Sequence, residues 1–359
     1  MGVSDDAQLR IWVGILISVN FMVAAIMSPI WGSLADKFGK KAMVLRAVFG
    51  ISITVGLMSF ATTPWHLLFL RICQGCVGGF IASSIALMAS LSPKEIIGYS
   101  LGTLNSAILA GTFVGPLLGG VFADFLGFRN LFLFIGACCF VSGILVAWNA
   151  NDAPLGDPET QKKKKIGFFV IVGLIKIIPG LGVICAAQVL INTSLMMINQ
   201  ILPLFTLELL GKINLITSAV GIITAALGIP CVLLVAKWGK LSDRIDSSKT
   251  FYLTAFGMSF GAILFIFSKD FLSLVGTRFF MGIFLAGCAT SSQSLVAKIT
   301  PDDKTASGLS LLSSSQLIEN ATGPLLAGFL SSHLGFRAVF FCSFLMLFSA
   351  GVICWKKLG

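Results

Sequence analysis

The sequence is poor in charge. Only 11% of its 359 residues are Asp, Glu, Lys or Arg, against about 25% in a typical soluble domain. It has two His and two Tyr. No Ser/His/Asp set, no metal-ligand cluster and no glycine-rich phosphate loop can be assembled from it. These absences exclude an obvious enzyme centre, a metal, a resident cofactor and ATP-driven work. The opening Met1-Gly2-Val3-Ser4-Asp5-Asp6 is acidic, not basic, so no cleavable leader is expected. The nine cysteines all fall in apolar runs, and no disulfide framework is read. Cys73-x-x-Cys76 has the spacing of a metal or redox pair, but the next turns bring no His and no second pair. Both are read as small helix-packing residues.

What is abundant is hydrophobicity. Apolar residues make up 56% of the chain, and the mean hydropathy is +0.96. This is the composition of an all-α polytopic membrane protein. A helix needs about 20 apolar residues to cross the ~30 Å hydrocarbon layer. Eleven such spans are predicted, near 11–31, 42–61, 66–90, 99–125, 129–149, 181–207, 214–237, 250–268, 271–297, 305–330 and 337–355. Residues 151–165 are polar and end in Lys162-Lys163-Lys164-Lys165. They are read as a cytoplasmic linker, followed over 166–178 by an interfacial helix. With that side inside, 18 of the 25 Lys plus Arg lie inside, which fixes the topology. The net charge of +10 follows topology and implies no nucleic-acid partner.

One stretch organises the rest. Gly32-Ser33-Leu34-Ala35-Asp36-Lys37-Phe38-Gly39-Lys40-Lys41 joins two apolar runs. It reads as a tight basic loop turned at Gly32 and Gly39, with Asp36 its one acid. Trp238-Gly239-Lys240-Leu241-Ser242-Asp243-Arg244 matches Trp31 to Lys37 at an offset of 207 (238 − 31). Arg71 and Gly75 recur as Arg278 and Gly282 at the same offset. Gly115-Pro116 recurs as Gly323-Pro324, and Leu126 to Arg129 as Leu334 to Arg337, at 208. The chain therefore repeats itself in parallel.

The loop closely resembles the helix 2–3 signature of the major facilitator superfamily. Gly111, Gly115, Pro116, Gly119 and Gly120 resemble the G-x-x-x-G-P-x-x-G-G signature of its drug:proton antiporters. Leu70 to Gly75, with Arg71 and Gln74, resembles its helix 4 signature. The resemblance covers essentially the whole chain and is closest to bacterial twelve-helix multidrug efflux members. It implies two pseudo-symmetric bundles: 1–150 with five helices, a linker over 151–180, and 181–359 with six. The 181–207 span has no counterpart in the first half, so the usual first helix is expected to be missing.

The resemblance also implies roles. Asp36, Gly32, Gly39, Lys40 and Asp243 would govern conformational closure. Gly115 and Pro116 would form a close-packed hinge. Arg71 is implicated in proton coupling, against a plain reading as an Arg snorkelling to the boundary; for Arg278 the snorkelling reading is preferred. Glu319 is the single carboxylate deep in a span, where neutralising it is far cheaper than burying its charge. It is read as a proton-coupling group, against a structural Glu bonded to its neighbours. Asn20, Gln74, Asn105, Gln188 and Asn192 are candidates for a substrate cavity. The expected partners are a small lipophilic molecule, protons and the lipid bilayer, with the chain a monomer in a bacterial cytoplasmic (inner) membrane. The alternatives are a transporter of a metabolite such as a sugar or organic anion, and a non-transporting remnant.

Overall fold

The computed structural model describes residues 5–93, 96–150, 178, 180–211, 215–301 and 305–358. Twelve helices run through them: α1 Asp6–Phe38, α2 Lys40–Met58, α3 Pro64–Cys76, α4 Phe80–Leu91, α5 Ile97–Asn149, α6 Leu181–Leu210, α7 Ile216–Ala226, α8 Gly228–Ile245, α9 Ser247–Phe267, α10 Phe271–Ile299, α11 Thr305–Leu334 and α12 Phe336–Leu358. Among the described residues there is no strand. Helices follow from the composition, because in lipid each backbone N–H and C=O must find its partner within the segment.

Nine helical stretches of the described residues are long and apolar enough to cross a membrane. One of them, within α5, is 51 residues long and contains a sharp turn at Gly127, with φ 73° and ψ 158°. A side chain would not tolerate that φ. The turn makes two crossings of one stretch, and α11 is a further helix of crossing length, 30 residues. Nine, plus one for the bend and one for α11, gives the eleven spans expected.

The details differ from expectation in two places. Gly32 to Lys41 is not a ten-residue loop: α1 continues to Phe38, and the turn is made at Gly39 alone, with φ 88°. The span expected at 66–90 is broken into α3 and α4 around Gly79, with φ 97°. Pro116 lies inside α5, and the break at Gly127 falls between the spans expected at 99–125 and 129–149. The expected linker 151–165 and interfacial helix 166–178 lie outside the described residues, except for Ile178.

Contacts divide the chain into two compact units: Met1–Gly2 with Val19–Lys165, and Val3–Ser18 with Ile166–Gly359. Each carries the repeat at atomic level. In the first, Trp31 Nε1 donates to the Cys76 carbonyl at 2.6 Å. In the second, Trp238 Nε1 donates to the Ile283 carbonyl at 2.7 Å. Both pairs are 45 residues apart and related by 207. A Cβ on Gly75 would meet the Asn20 carbonyl at 2.7 Å. One on Gly282 would meet the carbonyl of Leu227, the position matched to Asn20. The repeated glycines are therefore points where helices touch backbone to backbone.

The units differ in what they bury. In the second, α6 packs on α11 and α12, and 61% of its apolar window is buried. Its core joins Ile191, Ile198, Phe251, Met281 and Phe340; Phe265 stacks on Phe340 at 4.9 Å between centroids. In the first, only 11% of the α5 window is buried. Gly323 of α11 lies against Thr193 and Met196 of α6, whereas its match Gly115 has nothing within 4 Å, and neither have Gly111 and Gly119. The expected close packing at Gly115 is therefore not made among the described residues.

The start of α1 belongs to the second unit. Arg10 Nη1 donates to the Ser331 carbonyl at 2.8 Å, Nη2 lies 3.3 Å from Glu208 Oε2, and the guanidinium sits 4.0 Å over the Phe336 ring. Gly14 and Gly328 face each other closely, since a Cβ on Gly328 would be 2.9 Å from the Arg10 carbonyl.

Candidate functional site

The second unit encloses a polar cavity of about 340 Å³ between α6, α10 and α11. Each helix contributes residues four apart, which share a face. Gln188 and Asn192 come from α6, Cys288 and Ser292 from α10, Leu312 and Gln316 from α11, and Gln293 completes the polar set. Amides and hydroxyls in an otherwise apolar bundle either bond helix to helix or face a ligand. Gln188 Oε1 is buried and has no hydrogen-bond partner among the described residues.

Glu319 lies three residues beyond Gln316 on α11 and has no exposed surface. The Ser315 hydroxyl donates to its Oε1 at 2.9 Å, and Asn192 stands close to the same carboxyl. Its Oε2 has no partner among the described residues. No cation faces it in the hydrogen bonds and ion pairs of the described residues. A buried carboxyl with one free oxygen is stable as the neutral acid, and as the anion only beside a cation. Such a group can exchange one for the other.

Gln188 and Asn192 therefore reach a common cavity, with Glu319 beside it. The other three cavity candidates belong to the first unit. Gln74 Oε1 accepts from Arg71 Nη1 at 3.0 Å. Asn105 is exposed on α5. Asn20 presents its backbone carbonyl to Gly75. The side chains of Asp36 and Asp243 lie outside the described residues; both sit on helical backbone. Lys40 begins α2.

Arg278 corrects the snorkelling reading. It is fully buried on α10, and its Nη2 donates to Asn199 Oδ1 at 2.8 Å. The helix interior offered that amide, so the side chain turned inward rather than toward the boundary. Ser292 and Cys288 were not among the candidates; their signal was the spacing of four that puts them on one face with each other.

The repeat places Glu319 opposite a telling residue. At the 208 offset, Gly111, Gly115, Pro116, Gly119 and Gly120 match Glu319, Gly323, Pro324, Ala327 and Gly328. The glycine-proline helix is thus present twice, and the carboxylate occupies in the second copy the place of a glycine in the first.

The Major Facilitator Superfamily profile matches the chain twice, over residues 3–212 and 184–358. The chain is 30% identical over 363 residues to the multidrug resistance protein MdtG of Proteus mirabilis (strain HI4320), covering 99% of this chain and 88% of that protein. It is 32% identical over 361 residues to the protein of the same name from Rahnella sp. (strain Y9602), covering 99% and 86%. Among solved structures, a D-xylose-proton symporter superposes with a TM-score of 0.75 at 16% identity, over 98% of this chain and 89% of that one. Two overlapping profile matches that together run from residue 3 to residue 358, with relatives aligned over 99% of the chain, make this multi-pass membrane chain a transporter of the Major Facilitator Superfamily.

Proposed function

We propose that the chain is a secondary transporter that exports lipophilic, drug-like compounds across a bacterial cytoplasmic membrane in exchange for protons. The observation that carries this reading is Glu319, buried beside the polar cavity with Oε2 unpartnered among the described residues. Protonated, it is a neutral group beside the cavity, next to Asn192 of its lining. Deprotonated, it attracts a cation strongly in a medium of low dielectric. Loading a lipophilic cation and releasing a proton then become alternatives at one oxygen. Gln188 Oε1 supplies a second acceptor for a donor on the substrate. The multidrug names of the MdtG relatives support the same substrate class.

The remaining assignments are part of the proposal. Residues 1–150 and 181–359 act as two bundles joined by 151–180. Gly32, Asp36, Gly39, Lys40 and Asp243 serve closure, and the Gly111–Gly120 segment serves bending. Arg71 assists proton transfer, and the chain works as a monomer. A second reading, uptake or release of a hydroxylated metabolite, is favoured by the amide lining of Gln188, Asn192, Gln293 and Gln316, which suits hydroxyl groups.

The test is transport in proteoliposomes with an imposed pH gradient and a lipophilic cation such as tetraphenylphosphonium. Glu319→Gln is expected to let the cation equilibrate without concentrating it. Accumulation against the gradient with unchanged pH dependence would make the carboxylate structural. Transport of a hexose, but of no lipophilic cation, would select the metabolite reading.

A further inference from the structure

Each unit carries an apolar groove on its side, and the two grooves occupy the same place in the repeat. In the first, Leu57, Phe60, Phe69 and Leu70 line about 300 Å³ between the ends of α2 and α3. In the second, Leu264, Phe267, Gly276 and Thr277 line about 410 Å³ between α9 and α10. Every pair is related by 207. The volumes fall at the low end of the ~300–1,000 Å³ range of small-molecule sites. Their difference has a visible cause. Phe69 is replaced by Gly276, and His66 by Ser273, and a Cβ at Gly276 would have nothing within 4 Å.

The position of the grooves says what fills them. Both lie at the helix ends remote from the basic loops, and exposed Trp65 at the start of α3 marks that level as the membrane interface. Their walls are exposed Phe60, Phe69 and Phe267. An apolar slot at this depth, open to the side, faces hydrocarbon and not water. At the rim the two carry the same net charge: exposed Lys269 and Asp270 of the second stand where the first has Thr62 and Thr63, and Asp270 is held by the Ser273 N–H, which donates to its Oδ1 at 2.8 Å.

We propose that each groove seats an acyl chain of a phospholipid from the leaflet remote from the basic loops. The proposal rests on the membrane topology alone, not on the transported substrate. Because the lining differs while the slot persists, the packing of paired helix ends makes it, and the side chains only set its size.

The chain would be placed in proteoliposomes with phosphatidylcholine bearing a diazirine near the glycerol end of the acyl chain, at the depth of the grooves, irradiated, and mapped by peptide mass spectrometry. Labels should concentrate in 57–70 and 264–280. Gly276→Phe restores the ring found at the matched position and fills open space. It should reduce labelling of 264–280 by about an order of magnitude and leave 57–70 unchanged. Phe69→Gly should raise labelling of 57–70. Labelling spread evenly over all exposed helices, or indifferent to Gly276→Phe, would overturn the grooves as lipid sites.

Discussion

Asn199 holds Arg278. The guanidinium has no exposed surface, its Nη2 donates to Asn199 Oδ1 at 2.8 Å, and Nε and Nη1 have no partner among the described residues. The Phe265 ring centroid lies 5.6 Å away. A buried charge depends heavily on any single neutral partner. Asn199→Leu is therefore expected to destabilise by about 2–4 kcal/mol. Arg278→Met, which removes the charge and keeps much of the shape, should cost less. Thermal unfolding in detergent ranks the two. The opposite order would mean that Arg278 is compensated by something besides Asn199.

The paired tryptophans offer an internal control. Ile283 lies inside continuous α10, whereas Cys76 ends α3 just before the break at Gly79. Trp238→Phe removes an added donor from a carbonyl within a helix and should cost about 0.5–1.5 kcal/mol. Trp31→Phe removes the donor from a helix-end carbonyl. It also weakens the stacking of the Arg46 guanidinium, 3.4 Å over the ring, because Phe offers a smaller and poorer face, so it should cost more than Trp238→Phe. Equal shifts in melting temperature would count against the role given to the break.

Gly115 and Gly323 are matched in sequence and opposite in surroundings. Leu at 323 must enter where a Cβ would sit 2.6 Å from Met196 Cβ and 3.0 Å from the Thr193 carbonyl. It should destabilise by about 1–3 kcal/mol. Leu at 115 enters open space and should leave stability and insertion unchanged. If Gly115→Leu proves the more damaging, the α5 face is covered in the membrane by a helix of the kind that α6 supplies to α11.

Asp270 gives a stability difference with a defined sign in pH. Its carboxylate is held below the ordinary value by the Ser273 N–H and then the Ser273 hydroxyl, in a capping box at the start of α10. A depressed carboxyl stabilises the fold above its unfolded value, about 3.9, and loses that contribution as pH falls through the folded value. The melting temperature of Asp270→Ala should lie below wild type at pH 7, and the gap should narrow below about pH 4. A gap constant from pH 7 to pH 3 would refute the charged cap.

Much of this was legible in the sequence for a physical reason. A membrane fixes helix length, so apolar runs of about 20 residues predict spans. The repeat was legible because backbone contact admits only glycine, and Gly75 and Gly282 mark such contacts in both copies. Glu319 was legible because a carboxyl amid apolar residues has few bland explanations. What stayed hidden was partnership. Arg278 and Asn199 are 79 residues apart, and neither announces the other. Gln74, a cavity candidate by type, accepts from its own helix neighbour, Arg71, a pairing its residue type does not announce. The break at Gly79 was missed because Val77 to Gly79 sits within an apolar run that reads as one helix.

The match of Gly111 with Glu319 bears on how such a chain came about. An assembly of two identical halves would carry the carboxylate twice or not at all. Covalent duplication lifts that constraint. Once the halves are joined in one gene, a mutation falls on one copy only. The glycine helix can then be inherited as architecture by both halves, while the acid is acquired, or kept, by one.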